Sequence, residues 1–340
     1  MSHLTYLEAA VVGLVQGVSE LFPVSSLGHN VLIPALIGGS WEADLNVSKA
    51  ESPYLAFIVG LHVATALALL VYFRRDWVRI IGGFGSSIRE RRVETADQRL
   101  AWMIVLATIP VGLVGLVAEH PFRVLFGKPI VAGVFLAVNG VILIAGERFR
   151  RPDSLEADER IAASREAELV AAGGRVAAPP PPAGPAHARP RAASTGETNL
   201  SEQAAAVASD RRLSTMGYRR AIVIGSAQIL ALFAGISRDG VTMVTGMRRG
   251  LSREDAVRFA FLLSTPVIFA AGVLKIPDLF GPLGKGIHGQ ILLGSVLSGI
   301  GAYLSVRFLL RYLRTRTLTP FGVYCLIAGL ASVAYLGLVK

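Results

Sequence analysis

The stretch GLVQGVSELFPVSSLGH, residues 13–29, begins as an apolar helix and stops being one halfway along. Gln16 and Glu20 stand four apart, on one helical face. Pro23 then takes away a backbone donor and crowds the preceding turn. Ser25, Ser26, Gly28 and His29 follow inside a segment, 4–39, that is otherwise long and apolar. A second apolar segment, 220–250, is interrupted in the same manner by Gly235, Ser237, Arg238, Asp239 and Gly240. Non-helical backbone at membrane depth is tolerated only where protein or a water-filled cavity satisfies it. Each segment therefore reads as a re-entrant hairpin.

The rest of the chain supplies the membrane setting. Of 340 residues 52% are hydrophobic and 17% charged, with mean hydropathy +0.53, which is too apolar for a soluble globular domain. Six runs approach the roughly 20 residues that cross a bilayer: 54–73, 100–118, 130–146, 256–275, 291–310 and 321–339. The N-terminus lacks the basic leader of a cleavable signal, so targeting is expected from the spans. The single cysteine, Cys325, lies inside a run and rules out an internal disulfide. The net charge of +10 does not point to nucleic acid, because the arginines cluster just outside apolar runs, at Arg74, Arg75 and Arg79, at Arg148, Arg150 and Arg151, and at Arg311, Arg314 and Arg316. That is the positive-inside pattern, with anionic membrane lipids as partners. It places 74–99 and 147–218 in the cytoplasm, 40–53 and 119–129 outside, and the C-terminus outside. Residues 147–218 carry ten Arg against ten Asp plus Glu, are rich in Ala and Pro, and contain the run Pro179–Pro182. Such a composition predicts a largely disordered cytoplasmic insert, with a helix near 153–171. It divides a first membrane half, 1–146, from a second, 219–340.

The two halves repeat. At an offset of 212 positions, Tyr6, Ala9, Gly13, Gln16, Ser25 and Gly28 meet Tyr218, Ala221, Gly225, Gln228, Ser237 and Gly240 without a gap. The shared residues include the break itself, and the charge pattern makes the hairpins enter from opposite sides. Inverted repeats of this kind bring interrupted helices together near the midplane, where half-helix N-termini hold an anion. The expected fold class is an all-α polytopic membrane protein with an inverted-topology repeat and two re-entrant hairpins.

Ionisable groups inside a membrane segment point to function. If the hairpins meet, Glu20, His29, Arg238 and Asp239 converge. Arg238 offers a fork of donors suited to phosphate. Ser25, Ser26, Ser237 and Thr242 offer hydroxyls, His29 an acid or base near neutral pH, and Gly28, Gly235 and Gly240 close backbone approach. Glu20 is a carboxylate able to hold a divalent cation. Read singly, Glu20 is as well explained as the structural partner of Arg238 and Asp239 as a charge balance, while His62 reads first as a satisfied core histidine. The joint occurrence of these groups at two related breaks favours a phosphate site.

These residues resemble a known family. Residues 13–29 look like the first signature of the BacA-type undecaprenyl-diphosphatases, a Glu/Gln-x3-Glu pair followed by Pro-x-Ser-Ser-x-Gly-His. AGISRDGVT, residues 234–242, resembles the second, Pro-Gly-x-Ser-Arg-Ser-Gly-x-Thr, and residues 248–272 resemble the helix after it. The resemblance covers both membrane halves and not the insert. It implies hydrolysis of undecaprenyl diphosphate to the monophosphate and phosphate, on the outer side of the inner membrane. It also implies Ser26 as nucleophile assisted by His29, Glu20 as acid/base or metal ligand, and Arg238 as phosphate clamp. Ser237 and Thr242 help the clamp, Gln16, Ser25, Asp239 and Gly240 line the substrate, and magnesium or calcium is the cation. Three positions depart from the pattern: Ala234 for Pro, Asp239 for Ser and Leu27 for Thr. They keep open a divergent paralogue acting on another lipid diphosphate. A polyprenyl-lipid transporter or flippase is the reading from another class, since inverted repeats are transporter architecture; paired Ser and His beside an Arg clamp argue against it. A homodimer is compatible with everything above.

Overall fold

The computed structural model describes residues 4–45, 53–126, 128–171, 195–281 and 284–339. All regular elements among them are helical. The first hairpin is α1 (Tyr6–Leu21) and α2 (Ser26–Ile37), followed by the short α3 (Gly39–Asp44). Then come α4 (Pro53–Tyr72), α5 (Arg74–Glu90), α6 (Ala96–Phe126) and α7 (Pro129–Arg148). Between the halves lie α8 (Pro152–Ala171) and α9 (Thr195–Ser214). The second hairpin is α10 (Tyr218–Ser226), a 3-10 turn (Ala227–Leu232) and α11 (Arg238–Arg248). It leads to α12 (Arg253–Phe280), α13 (His288–Tyr312) and α14 (Thr319–Val339). Five helices, α6, α7, α12, α13 and α14, are long and apolar enough to cross a membrane, and α4 joins them as half of a pair bent by 84°. Their outward faces carry Leu113, Leu116, Leu292 and Ile327, all exposed, as a lipid-facing surface requires. The chain is a multi-pass membrane protein.

The predicted repeat is visible in how the halves interlock. Broken helix α1 packs on α13 of the other half, and α10 packs on α6. A glycine makes each contact. A Cβ on Gly13 would lie 2.5 Å from the Gly294 carbonyl oxygen, and one on its repeat mate Gly225 would lie 2.0 Å from that of Ala107. Gly17 meets Ser298 one turn after Gly13 meets Gly294, so α1 and α13 run parallel. Without a hydrophobic drive between helices in lipid, small residues of this kind let backbones close up. The entry points are opposite. Gln290, at the start of α13, donates to the Leu4 carbonyl, whereas Ser154 beyond the end of α7 donates to the Leu251 carbonyl.

After α4, α5 turns 84° and lays Phe84 and Ser87 against Trp102 of α6. One expectation is corrected. The insert is not largely disordered where it is described. Arg258 of α12 donates to Asp210 of α9 at 2.7 and 2.9 Å, and Arg79 of α5 donates to the same carboxylate. Arg212 and Ser209 both donate to Asp255. Composition argued disorder because apolar surface is scarce; these helices are instead docked by charge-assisted bonds to the membrane half. The proline run 179–182 lies outside the described residues.

Candidate active site

The two breaks are stitched together before any chemistry is considered. Ser25 takes a positive φ of 66°, rare for a residue with a side chain, and this turn aims its hydroxyl across the gap. Its Oγ accepts from Gly28 N at 3.2 Å, capping α2, and from Gly235 N of the other hairpin at 3.2 Å. Its repeat mate Ser237 caps α11 in the same way, accepting from Gly240 N at 3.1 Å. Gly28 lies so close to Gly235 that a Cβ would come within 2.9 Å of the Gly235 Cα. Asn139 of α7 spans both: its Nδ2 donates to the Pro23 carbonyl at 2.9 Å and its Oδ1 accepts from Ser237 N at 3.0 Å. The N-termini of α2 and α11 thereby face one site, each offering the positive end of a helix dipole.

Glu20 is the centre of that site. Its Oε1 accepts from the Arg238 guanidinium, and its Oε2 accepts from Ser26 Oγ and, at 2.8 Å, from Gln16 Nε2. Asn30 Nδ2 fixes the other end of Gln16 at 2.7 Å. His62 Nε2 stands 3.6 Å from Glu20 Oε2 and 3.4 Å from Gln16 Nε2. Its Nδ1 donates to the Ile58 carbonyl at 2.9 Å, which leaves Nε2 as the basic nitrogen of the neutral ring. Exposure orders the group in depth. The Glu20 side chain is 2% exposed, against 19% for Arg238 and 29% for His62, so the carboxylate is the floor and the two bases form the mouth. The Arg238 Nε is buried and finds no partner among the described residues, a donor left over for an incoming anion.

Four expected members hydrogen-bond or pack away from the Glu20 carboxylate. His29 donates Nδ1–H to the Ser25 carbonyl at 2.7 Å, and its Nε2 takes the Tyr324 hydroxyl at 2.7 Å, with the two rings stacked. Both its nitrogens are occupied, Nδ1 at the start of its own helix and Nε2 on α14. Asp239 is buried and accepts from Ser264 of α12, tying α11 to its neighbour. Thr242 Oγ1 donates back to the Arg238 carbonyl at 2.7 Å, an ordinary bond within a helix. Gly240 packs against Pro23 and Leu143. In exchange the structure supplies His62, Asn139 and Asn30. His62 was findable, because an ionisable residue within an apolar run is a functional candidate by default; Asn139 carries no motif.

The site makes a poor metal cage by itself. Among the described residues no group of three or more His, Cys, Asp and Glu is placed to share an ion. Glu20 and His62 stand 3.6 Å apart, and both carboxylate oxygens already accept hydrogen bonds. What the arrangement can do without one is bind a phosphate with Arg238 and two helix N-termini, and move a proton between Ser26, Glu20 and His62.

Comparison with known proteins agrees with this chemistry. The family model for bacitracin resistance protein BacA matches residues 9–171 and 194–331. The match takes in the whole of α8 and α9, so the likeness extends into the insert, further than the motifs alone suggest. An undecaprenyl-diphosphatase of Mycolicibacterium paratuberculosis is 56% identical over 337 residues, 99% of each chain. Undecaprenyl-diphosphatase 2 of Frankia alni is 55% identical over 97% of each chain. Undecaprenyl-diphosphatase 2 of Burkholderia lata is 39% identical over 94% of this chain and 92% of its own.

Proposed function

The chain belongs to the bacitracin resistance protein BacA family, and on that footing we propose that it is a membrane phosphatase hydrolysing undecaprenyl diphosphate to undecaprenyl phosphate and phosphate. The product is the lipid carrier, returned for cell-wall synthesis. The observation that carries the site is one carboxylate, Glu20, held at once by a guanidinium from the second hairpin and a hydroxyl from the first.

The proposed sequence of events follows from that bond pattern. The terminal phosphate competes for Arg238, which exchanges its carboxylate for phosphate oxygens and leaves Glu20 free to accept a proton. Ser26 Oγ bonds to the terminal phosphorus, the bond from phosphorus to the bridging oxygen breaks, and undecaprenyl phosphate departs. The Ser26 proton passes to Glu20 and on to the departing phosphate. A water then attacks the phosphoserine, giving its proton to Glu20 or, through it, to His62 Nε2. Phosphate leaves and the Ser26 hydroxyl is restored. We assign the proton work to Glu20 and His62 in place of His29, whose ring nitrogens are engaged elsewhere. Were magnesium or calcium bound, Glu20 would be the carboxylate to hold it and the ion would supply positive charge to the diphosphate; no step runs through it. By the positive-inside pattern we orient the ends of α7 and α13 and the insert to the cytoplasm, and the mouth of the site to the outer side.

Phosphate release from undecaprenyl diphosphate by the purified chain in detergent tests the assignment. Removing the Arg238 clamp or the Glu20 base is expected to lower kcat by about a hundredfold or more each. Wild-type rates in both Glu20→Ala and Arg238→Ala would remove the site from consideration.

A further inference from the structure

A second charged feature lies away from Glu20. Where α4 bends into α5, a cavity of about 470 Å³ opens between that corner, α9 of the insert, the start of α12 and the end of α13. Arg74, Arg75, Arg307, Arg311 and Arg314 line it. Its two carboxylates are already engaged: Asp76 receives Arg79 at 3.0 Å and Arg258 at 2.9 Å, and Glu254 receives Arg165. Among the described residues no carboxylate lies within 4.0 Å of a side-chain nitrogen of Arg74, Arg75, Arg307 or Arg314. These four guanidiniums are thus gathered around one space with no carboxylate among the described residues to answer them.

The cavity does not end in water alone. Arg307 and Arg311 also border a second, more open hollow of about 480 Å³, whose other walls include Leu304 and Phe308. Those two residues are 57% and 49% exposed on the outward face of α13. A cationic pocket that runs into an apolar groove on a membrane-spanning helix has the two chemistries of one ligand, a phosphate headgroup joined to a hydrocarbon chain. The place is separate from the catalytic cluster. Gly17 packs at Ser298, so in this parallel pair Glu20 stands level with about Gly301, and Arg307 lies six residues further along α13, about 9 Å at the helical rise. Phe22, at the tip of the first hairpin, stacks on Phe308 and forms a wall between them.

We propose that this cavity and groove bind an anionic membrane lipid, its phosphate among Arg74, Arg307 and Arg314 and its chain along Leu304 and Phe308. Helix α9 forms one wall through Gln203, which accepts from Arg75 at 2.6 Å. This gives the docked part of the insert a role: it closes the pocket from the aqueous side. Basic pockets between spans on the positively charged side of a protein suit phosphate headgroups.

The test is native mass spectrometry of the full chain in detergent, titrated with phosphatidylglycerol, undecaprenyl phosphate or phosphatidylcholine. Either anionic lipid is expected to be retained, and the zwitterionic one released. Arg307→Gln with Arg314→Gln is expected to weaken retention on the order of thirtyfold, the effect of two basic groups at an anionic headgroup. Equal retention of phosphatidylcholine, or undiminished retention by the double variant, overturns the proposal. So does full displacement of the lipid by inorganic phosphate at equal concentration, which would mark a site for a soluble anion. Two controls separate this from the catalytic reading. The double variant should hydrolyse a short, soluble prenyl diphosphate at the wild-type rate, and Glu20→Ala should retain the lipid. A parallel loss of both activities in the arginine variant would merge the two sites and defeat the proposal.

Discussion

Glu20 and Arg238 form an ion pair at a depth where water is scarce, and removing one partner strands the other. Breaking a buried pair costs about 3–5 kcal/mol, whereas removing both charges is often nearly neutral. Arg238→Gln is therefore expected to lower the unfolding temperature in detergent, and Glu20→Gln with Arg238→Gln to recover most of that loss. Phosphate release should stay abolished in the double variant, because the charges return nothing to catalysis by vanishing together. Recovery of activity along with stability would mean that the pair is only a structural clasp. The two histidines make a second contrast. His62 faces Glu20 with its basic nitrogen, while His29 is sealed between the Ser25 carbonyl and Tyr324. His62→Ala is expected to reduce kcat by about a hundredfold with little change in stability. His29→Ala should instead act through stability, on the order of 1 kcal/mol from the lost ring bonds to Tyr324 and to a Ser25 carbonyl that keeps the residue 29 backbone N–H, and leave kcat within a few-fold of wild type. The reverse ranking in steady-state kinetics would return the proton role to His29.

Helices α1 and α10 are cut to the same plan, and their seams against α13 and α6 depend on a missing side chain. A valine at Gly225 would drive its Cβ into the Ala107 carbonyl oxygen, 2.0 Å away, and backbone cannot yield as a flexible side chain does. Gly225→Val is expected to cost several kcal/mol and most of the folded yield, and Gly82→Val, where nothing lies within 4 Å, to cost little. Thermal unfolding of the two side by side decides it. The seam was legible in the sequence only as identity at an offset, Gly13 with Gly225, and not as a contact. The same holds for the breaks. Pro23, Ser25, Gly235 and Ser237 announce that the helices stop, because proline and glycine act locally. Asn139 acts between elements: it is one polar residue in an apolar run until Pro23 and Ser237 are seen on either side of it. Helix α8 was legible as a helix near 153–171, whereas α9 was not, for a related reason. The apolar-poor composition of 147–218 read as a solvated coil at α9, and only the fold shows that Asp210 answers Arg79 and Arg258.

At the scale of the whole molecule, the interlock separates the two readings of the inverted repeat. A carrier that rocks one half against the other needs an interface able to slide. Here α1 is seated on α13, α10 on α6, and both breaks are tied through Asn139. A hydrolase with a fixed pocket needs no such sliding, since substrate enters and products leave by the same mouth. Thr65 of α4 and Ser298 of α13 belong to different halves, and their hydroxyl oxygens stand 3.1 Å apart. Cysteines at both positions are close enough to bridge, while the native Cys325 is buried beside Asn139 and stays out of reach. Oxidation of Thr65→Cys with Ser298→Cys is expected to leave phosphate release within about twofold of the reduced protein, because neither residue touches Glu20 and the proposed chemistry moves only protons and a phosphoryl group. A rate that collapses on oxidation and returns with reductant would show that turnover requires the halves to part. In that event the rigid, phosphate-binding pocket argued from Glu20 and Arg238 would have to be one state of a moving protein.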